Sequence, residues 1–503
     1  MRSDQQQAIN RLAGTSATTF LCAVLCVYPL YIDKFSNLGV TKFTGCFTLF
    51  LLFLLWLVAC TAIGARAPRP RNANAGRDVT LWGVLAFAGT SLISTFTSLS
   101  PTASTWGLGG YYGGLMLVLF TAAGYWAVRS YLDLENLDFV FWVLGITTSI
   151  VAVLYVLNIF NIDLIGAYAD TAVVERAQFF STLGQKDFNG CFFSVALPIV
   201  FYQFLNAKDT RTAVWTGIPA AFGALALAVV DSEALALGIG AAVMVLVCHK
   251  NFTTRHLRRA ALISAAFFGW AAWMHYMRAS VYTQGGTALL AKLGAWQVAL
   301  PCMAASLLLW LVLFVLARKG IAAQAPLYLP GRGITIAVLA VGALAFVLAN
   351  AMPNLPLPES LHNLLVFNDD WGTYRGVAWR AAFGTWADGS LLRKIVGIGP
   401  GMMHTAVAAW AGDAMTARMA TFYAAHNEYL EQLLTTGILG LAAWLLLVAA
   451  HLQRGERSWN TPGVAPVMLA LCSYLAQAVV SIRVSMVFPL VMLLFGALAA
   501  LTA

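Results

Sequence analysis

A histidine, an asparagine and a carboxylate lie side by side at His426, Asn427 and Glu428, directly before a strongly apolar stretch. Histidine has an ordinary pKa of about 6.5, so it readily accepts a proton from a hydroxyl group at neutral pH. We interpret His426 as a candidate general base, with Asn427 or Glu428 orienting the hydroxyl. The spacing of His426, Tyr429 and Leu430 predicts that all three share one face of a helix that begins at His426.

Two arginines, Arg375 and Arg380, precede this histidine in the same polar segment. A guanidinium presents a planar fork of N–H donors that suits phosphate and pyrophosphate. We therefore interpret both as candidate pyrophosphate ligands, whereas Arg393 and Lys394 look like surface charges. The alternative for the arginines is a solvated or headgroup-binding side chain, and for His426 it is a histidine that only caps a helix.

The composition around these residues predicts a membrane protein. Of the 503 residues, 60% are hydrophobic and only 10% are charged, whereas soluble domains carry about 25% charged residues. Apolar runs of the ~20 residues that a bilayer requires recur along the whole chain. We predict an all-α polytopic integral membrane protein with about 12–14 transmembrane helices, formed by residues 1–503 as a single transmembrane domain.

The distribution of basic residues predicts the orientation of the chain. Placing the N-terminus in the cytoplasm puts 18 of the 30 lysines and arginines in cytoplasmic segments and only seven in the short outer ones, which is the positive-inside pattern. Both termini are then cytoplasmic, in a plasma (inner) membrane. The candidate spans are 17–32, 43–64, 79–99, 114–131, 139–160, 191–207, 213–230, 234–248, 260–277, 296–317, 334–351, 433–450, 464–480 and 485–502.

The longest outer segment, residues 352–432, contains both arginines and the histidine. A loop of this length is usually functional or disordered, and its many aromatic residues favour ordered structure. The stretch TYRGVAWRAAFGTW (373–386) predicts a short amphipathic helix at the membrane surface. GIGPG (397–401) predicts a tight turn that opens a further helix, because no βαβ pattern surrounds it.

Other partners are disfavoured by the pattern of charges and cysteines. The net charge is +9, but the basic residues sit in short loops between apolar runs, so we predict no nucleic-acid partner. The eight cysteines lie in or beside apolar runs and form no CxxC or Cys/His cluster. This pattern indicates neither a disulfide framework nor a zinc site, and we predict no metal or other cofactor.

Taken in order, these motifs resemble the O-antigen ligase and O-antigen polymerase family of bacterial membrane glycosyltransferases. That family has a large external loop late in the chain, with an arginine and tryptophan, a glycine turn, and His-Asn before a glycine-opened span. The resemblance covers roughly residues 80–500. The segments that carry it are FFSTLGQKDFNG (179–190), RGVAWR (375–380), VGIGPG (396–401), HNEYL (426–430) and GILG (437–440).

The resemblance implies an enzyme that transfers an oligosaccharide from an undecaprenyl-pyrophosphate-linked glycan donor to a hydroxyl of a glycan or lipid acceptor. Transfer would take place on the outer face of the plasma membrane, among membrane lipids and without a metal. In this scheme His426 is the general base, and Arg375 or Arg380 neutralises the pyrophosphate leaving group.

The chain departs from the family pattern at one position. Family ligases often carry Ser-Arg at the turn after the seventh span, where this chain has Ser232 and Glu233. A glutamate cannot bind phosphate, so another cation must take the place of the arginine. Arg176 and Lys186 are the predicted substitutes.

Two other classes of function are compatible with many spans. The first is a lipid-linked-glycan flippase or other polytopic transporter, and the second is a non-catalytic membrane scaffold. Neither accounts for an ordered outer loop that places arginine, tryptophan and histidine at the family's spacing. Transporters also often consist of paired halves with broken helices, a pattern that this sequence does not show.

Overall fold

The computed structural model describes residues 2–63, 78–108, 110–281, 283–284, 290–321, 323–352, 355–411 and 423–503. Within these ranges the regular secondary structure is helical, apart from two isolated β-bridges, and loops and turns connect the helices. Short 3₁₀ and π turns connect several of the α-helices. In chain order, helices α1 to α19 are Arg2–Cys22, Leu38–Ile63, Val79–Phe96, Pro101–Trp106, Leu115–Tyr131, Leu137–Ile159, Lys186–Asn206, Thr210–Val229, Glu233–Cys248, Thr254–Ser280, Trp296–Arg318, Tyr328–Ala351, Glu359–Leu365, Trp371–Ala387, Leu391–Val396, Met403–Trp410, Glu428–Arg457, Val464–Gln477 and Phe488–Leu501.

Each of the predicted spans overlaps one of these helices. Nine helical segments in the described ranges are long and apolar enough to cross a membrane, and α9, α18 and α19 are shorter apolar helices. The prediction of an all-α, multi-pass membrane protein is therefore confirmed. The identity of the membrane and the side on which the termini lie stay predictions, and so does the cytoplasmic position of Arg66, Arg69, Arg71 and Arg77, which lie outside the described residues.

The bundle has a buried centre and an exposed, apolar periphery. Helix α19 lies at the centre, because every residue from Phe488 to Leu501 is buried. It packs against α5 and α18, while α3 packs along α17. By contrast, α11 and α12 expose most of their apolar side chains. A helix that is apolar all round is stable in either setting, inside a protein core or against lipid.

Residues 179–190, one of the segments that carry the resemblance, form a turn that is held by the side chain of Asn189. Its Nδ2 donates to the carbonyl oxygens of Phe180 at 3.2 Å, Gly184 at 3.0 Å and Gln185 at 3.1 Å. Its Oδ1 accepts from the Ser181 hydroxyl at 2.5 Å. One buried amide thus satisfies the backbone groups of the turn that leads into α7.

The long segment after α12 is ordered wherever the structure describes it. The predicted amphipathic helix is α14, and the predicted helix after the glycine turn is α16. Helix α14 opens with three residues of positive φ, Gly372, Thr373 and Tyr374. Arg418 and Phe422 of this segment lie outside the described residues.

The glycine turn packs against a kink in α17. Gly437 interrupts α17 with a φ of 70°, and a Cβ at this position would lie 2.3 Å from the Ile395 carbonyl oxygen. Gly397 has a φ of 82°, and its Cβ would lie 2.2 Å from the Thr435 oxygen. Both positions require glycine, because a side chain would collide with the opposite backbone. The two glycine motifs therefore lie in direct contact.

Candidate functional site

His426 precedes α17 instead of beginning it. The helix starts at Glu428, and His426 has a φ of 51°, in the left-handed region that few non-glycine residues adopt. The prediction that His426, Tyr429 and Leu430 share one helical face is therefore wrong. The physical reason lies in the residue between them, since Asn427 takes the N-cap position and its backbone is extended.

The Asn427 side chain holds the first turn of α17. Its Oδ1 accepts from the backbone N–H groups of Tyr429 at 3.1 Å and Leu430 at 3.0 Å. A cap of this kind stabilises a helix by about 1 kcal/mol. Asn427 therefore keeps the helix start, and with it the adjacent His426, in a defined position.

Glu428 is buried and joins α17 to the segment that follows α18. Its Oε1 accepts from the Tyr474 hydroxyl at 2.5 Å, and its backbone N–H donates to the Ala478 oxygen at 2.9 Å. Its Oε2 lies 3.5 Å from the Nε of Arg483. The carboxylate thus has one phenol and one guanidinium as its neighbours.

Arg483 is the cation of this site, and the sequence analysis did not single it out. Its side chain is only 12% exposed and lies over the ring of Phe488 at 4.5 Å, with Phe87 and Trp444 slightly farther away. Its Nε and Nη2 atoms are buried, and neither makes a hydrogen bond to a described residue. Leaving buried charged donors without acceptors is costly, so an anion at this position would stabilise them.

These residues line one cavity of about 640 Å³. Several chain segments meet there: α3 at Ser91, the loop between α4 and α5 with the start of α5, the glycine turn, the residues around the start of α17, and the loop before α19. The loops among them are predicted to face outside. Its polar and charged lining residues are Ser91, Tyr111, Tyr423, His426, Asn427, Glu428, Glu431, Gln432, Thr435, Thr436, Ser481 and Arg483.

The surroundings of His426 keep its imidazole neutral. Burial lowers the pKa of His426 to about 4, the positive charge of Arg375 lowers it as well, and Asp187 opposes both effects. The indole N–H of Trp379 donates to the His426 carbonyl oxygen at 3.4 Å, which links the histidine to α14. At neutral pH this imidazole can accept a proton, although it is a weaker base than an ordinary histidine.

The two predicted arginines occupy different environments. Arg375 is half-buried and donates from Nη1 to the Gly372 oxygen at 2.8 Å, while its buried Nε makes no hydrogen bond to a described residue. Its charge acts on His426. Arg380 is 55% exposed and forms a salt bridge with Asp369. Neither arginine is among the residues that line the cavity.

The predicted substitute cations also lie away from this cavity. Arg176 is stacked on the Tyr168 ring at 5.3 Å. Lys186 pairs with Asp231 at 3.0 Å and lines a different cavity. The position that the family arginine would occupy, Glu233, is exposed. Arg483 is instead the arginine that shares a cavity with His426.

One sequence signal pointed to Arg483. It is one of the seven basic residues in the short segments predicted to lie outside, where lysine and arginine are scarce. It also stands between two apolar spans, at a place where a charge is costly and often functional. No protein-family model matches the chain, and a search of curated proteins finds no match either.

Proposed function

We propose that this chain is a membrane glycosyltransferase. It moves an oligosaccharide from an undecaprenyl-pyrophosphate donor to an acceptor hydroxyl on the outer face of the plasma membrane, as an O-antigen ligase or a surface-polysaccharide polymerase does. The observation that carries this proposal is that one cavity contains a neutral imidazole, His426, and a buried guanidinium with unused donors, Arg483. Transfer from a pyrophosphate needs a proton acceptor and a cation near each other.

The proposed reaction is a single displacement. The acceptor oxygen attacks the anomeric carbon of the first donor sugar, forming the new C–O bond. The bond between that carbon and the pyrophosphate oxygen breaks, and the lipid pyrophosphate leaves with both electrons. The His426 imidazole takes the proton from the acceptor hydroxyl.

The cations have separate roles in this scheme. Arg483 lines the cavity, and its buried Nη2 offers N–H donors that no described residue accepts, so it binds the negative charge that develops on the leaving pyrophosphate. Burial keeps His426 in its neutral form, and the positive charge of Arg375 adds to this effect. The aromatic rings around Arg483 exclude water and strengthen these interactions.

Resemblance of the motifs to the O-antigen ligase and polymerase family supports the same reaction. Residues of the glycine turn and the His-Asn pair line one cavity, and the turn contacts the kink at Gly437. The acceptor distinguishes the two enzymes: a ligase transfers the glycan to a lipid, and a polymerase transfers it to a second glycan.

A transfer assay with purified protein in liposomes tests the proposal. With a lipid-pyrophosphate glycan and a mixture of acceptors, mass spectrometry should detect a new glycosidic product and free lipid pyrophosphate. We expect His426→Gln to lower turnover by about 10²- to 10⁴-fold, because glutamine forms hydrogen bonds but cannot take the proton.

The matched control is His362→Gln, which changes an exposed histidine of the same long segment. This variant should transfer at the normal rate. Movement of the lipid-linked glycan across the bilayer, without any new glycosidic bond, would identify a flippase and refute the proposal. Near-normal transfer by His426→Gln would remove His426 as the base.

A further inference from the structure

A second cavity of about 560 Å³ is lined in part by the turn that leads into α7. Lys186, the first residue of α7, lines it, while the next residue, Asp187, acts on the pKa of His426 at the first cavity. The reaction proposed above uses none of the residues that line the second cavity.

The charges in this cavity are unbalanced. Lys186 pairs with Asp231 at 3.0 Å, so these two residues neutralise each other. Arg278, near the end of α10, lines the same cavity, and its buried Nε makes no hydrogen bond to a described residue. One positive charge is therefore left over, with a planar fork that suits a carboxylate.

The remaining walls combine amides with aromatic rings. Gln178, Gln185 and Gln284 line the cavity, and a primary amide has both donor and acceptor atoms. The Gln284 Nε2 already donates to the Asn158 carbonyl oxygen and to Asn161 Oδ1, so this side chain offers its oxygen to a ligand. Tyr155 and Phe180 stack on one another with ring centroids 4.7 Å apart. A few polar groups set into an apolar wall are typical of a small-molecule site that fixes the orientation of its ligand.

We infer that the second cavity binds an acidic sugar residue of the glycan, with the carboxylate on the Arg278 guanidinium and the hydroxyls on the surrounding amides. The single excess charge favours a monoanionic carboxylate over a dianionic phosphate. The glutamine side chains match hydroxyl groups, which also donate and accept. Identifying the ligand as a sugar rests on the proposed function, whereas the anion follows from the charges alone.

Equilibrium binding to the full chain in nanodiscs tests this inference. The probes are a trisaccharide that contains one glucuronic acid residue and the matched trisaccharide with glucose in its place. Isothermal titration calorimetry should show that the acidic probe binds at least about tenfold more tightly, the factor that one charge-assisted hydrogen bond supplies. Equal affinities for the two probes would overturn the inference, without the need for any variant.

Variants then locate the binding. Arg278→Gln should remove the preference for the acidic probe, and Arg278→Lys should restore part of it, since lysine keeps the charge but lacks the fork. Arg393→Gln, which changes an exposed arginine elsewhere, should bind both probes like the wild type. An unchanged preference in a folded Arg278→Gln protein would contradict the assignment.

Two further experiments distinguish a failure of the binding inference from a failure of the proposed function. Inorganic phosphate should not displace the acidic trisaccharide at equal concentration, and efficient displacement would identify a phosphate site instead. His426→Gln should retain the binding preference, since this histidine lies in the other cavity. Loss of transfer activity would then bear only on the proposed function, and loss of binding only on this inference.

Discussion

Helices α3 and α17 pack along each other, and arginines lie near both ends of this pair. The two groups of arginines differ in the contacts that they make. Near the start of α3, Asp78 meets Arg129 and Arg454, and near the other end Arg483 meets Glu428. Both ends hold carboxylates that are almost inaccessible to solvent. The difference between them lies in how many hydrogen bonds each network completes.

The cluster around Asp78 is a closed network. Its Oδ1 accepts from the Thr80 backbone N–H at 3.0 Å and from the Thr80 hydroxyl at 2.6 Å, and it forms a salt bridge with Arg454 Nη1 at 3.0 Å. Its Oδ2 accepts from Arg129 Nε at 3.2 Å. Burial raises the pKa of Asp78, but the hydrogen bonds and the two positive charges more than offset this and lower it to about 2. Such a network holds three helix ends together.

The cluster around Arg483 is left open. The Arg483 Nε and the Glu428 Oε2 form an ion pair at 3.5 Å without completing a hydrogen bond, and the buried Nη2 of Arg483 makes no hydrogen bond to a described residue. Native structures satisfy most buried polar groups, so the Nη2 donors are the ones that a ligand would complete. Completeness of hydrogen bonding, and not burial, distinguishes Arg129 from Arg483, and it is the reason why we propose only Arg483 as a ligand of the substrate.

The largest effect should come from opening the closed network. Arg129→Gln leaves Asp78 with one fewer positive partner in a buried setting, and we expect the free energy of unfolding to fall by about 3–5 kcal/mol. Thermal unfolding in detergent measures this change. Adding Asp78→Asn should recover part of the loss, while Arg457→Gln, on an exposed arginine of α17, should leave stability unchanged. An Arg129→Gln protein of normal stability would show that the network is not structural.

Arg483→Gln tests the open cluster and should act mainly on the reaction. Removing one preorganised donor for a developing negative charge typically costs about 10²- to 10³-fold in turnover. Arg483→Lys should recover part of the rate, because the charge remains while the fork is lost. Transfer per folded molecule in liposomes is the measurement, with Arg393→Gln as the control. If Arg483→Gln lowers stability as much as Arg129→Gln but transfers normally, the two clusters do not differ in the way proposed.

The pH dependence of transfer tests how the charges around His426 control its pKa. Its pKa is lowered to about 4, so the neutral form and the transfer rate should persist down to that pH and fall below it. Arg375→Gln removes a positive charge, so the pKa of His426 rises and the transfer rate begins to fall at a higher pH. Asp187→Asn removes a negative charge, so the transfer rate begins to fall at a lower pH.

Comparing these variants with the same donor and acceptor cancels any effect of ionisation of the substrates on the rate. If the fall in transfer rate stays at the same pH in both variants, His426 is not the titrating base.

The lowered pKa of His426 also predicts how stability depends on pH. Unfolded His426 binds a proton below about 6.5, whereas folded His426 does so only near 4. Its contribution to stability is therefore fully present above the unfolded pKa and is lost as the pH falls toward 4.

The smallest effect should come from Arg380. Its salt bridge with Asp369 is exposed to solvent, and Arg380→Gln should change the free energy of unfolding by less than about 1 kcal/mol. Transfer should remain close to normal, because Arg380 does not line the cavity. Asp369→Asn is the matched variant and should behave alike. A large loss of transfer in Arg380→Gln would instead support the pyrophosphate role predicted from the sequence.

The sequence alone was sufficient to predict the long apolar helices and the glycine turn. Spans such as 296–317 and 334–351 are apolar over a full membrane thickness, and this property depends only on neighbouring residues. The turn at 397–401 was predictable for a similar reason, because its glycines adopt positive φ locally. The sequence also singled out His426, Asn427 and Glu428, and the structure places all three at one cavity.

Tertiary structure decided which charges meet. Arg483 approaches Glu428 only because α17, α18 and α19 pack together, and no local pattern records a contact across 55 residues of chain. Arg380 and Lys186 have side chains suited to phosphate, but in the folded protein they pair with Asp369 and Asp231, and neither lines the cavity that contains His426. The position of His426 outside the helix likewise depended on Asn427 taking the cap. A charge becomes available to a ligand only when the fold leaves its hydrogen bonds incomplete, and that outcome depends on distant partners.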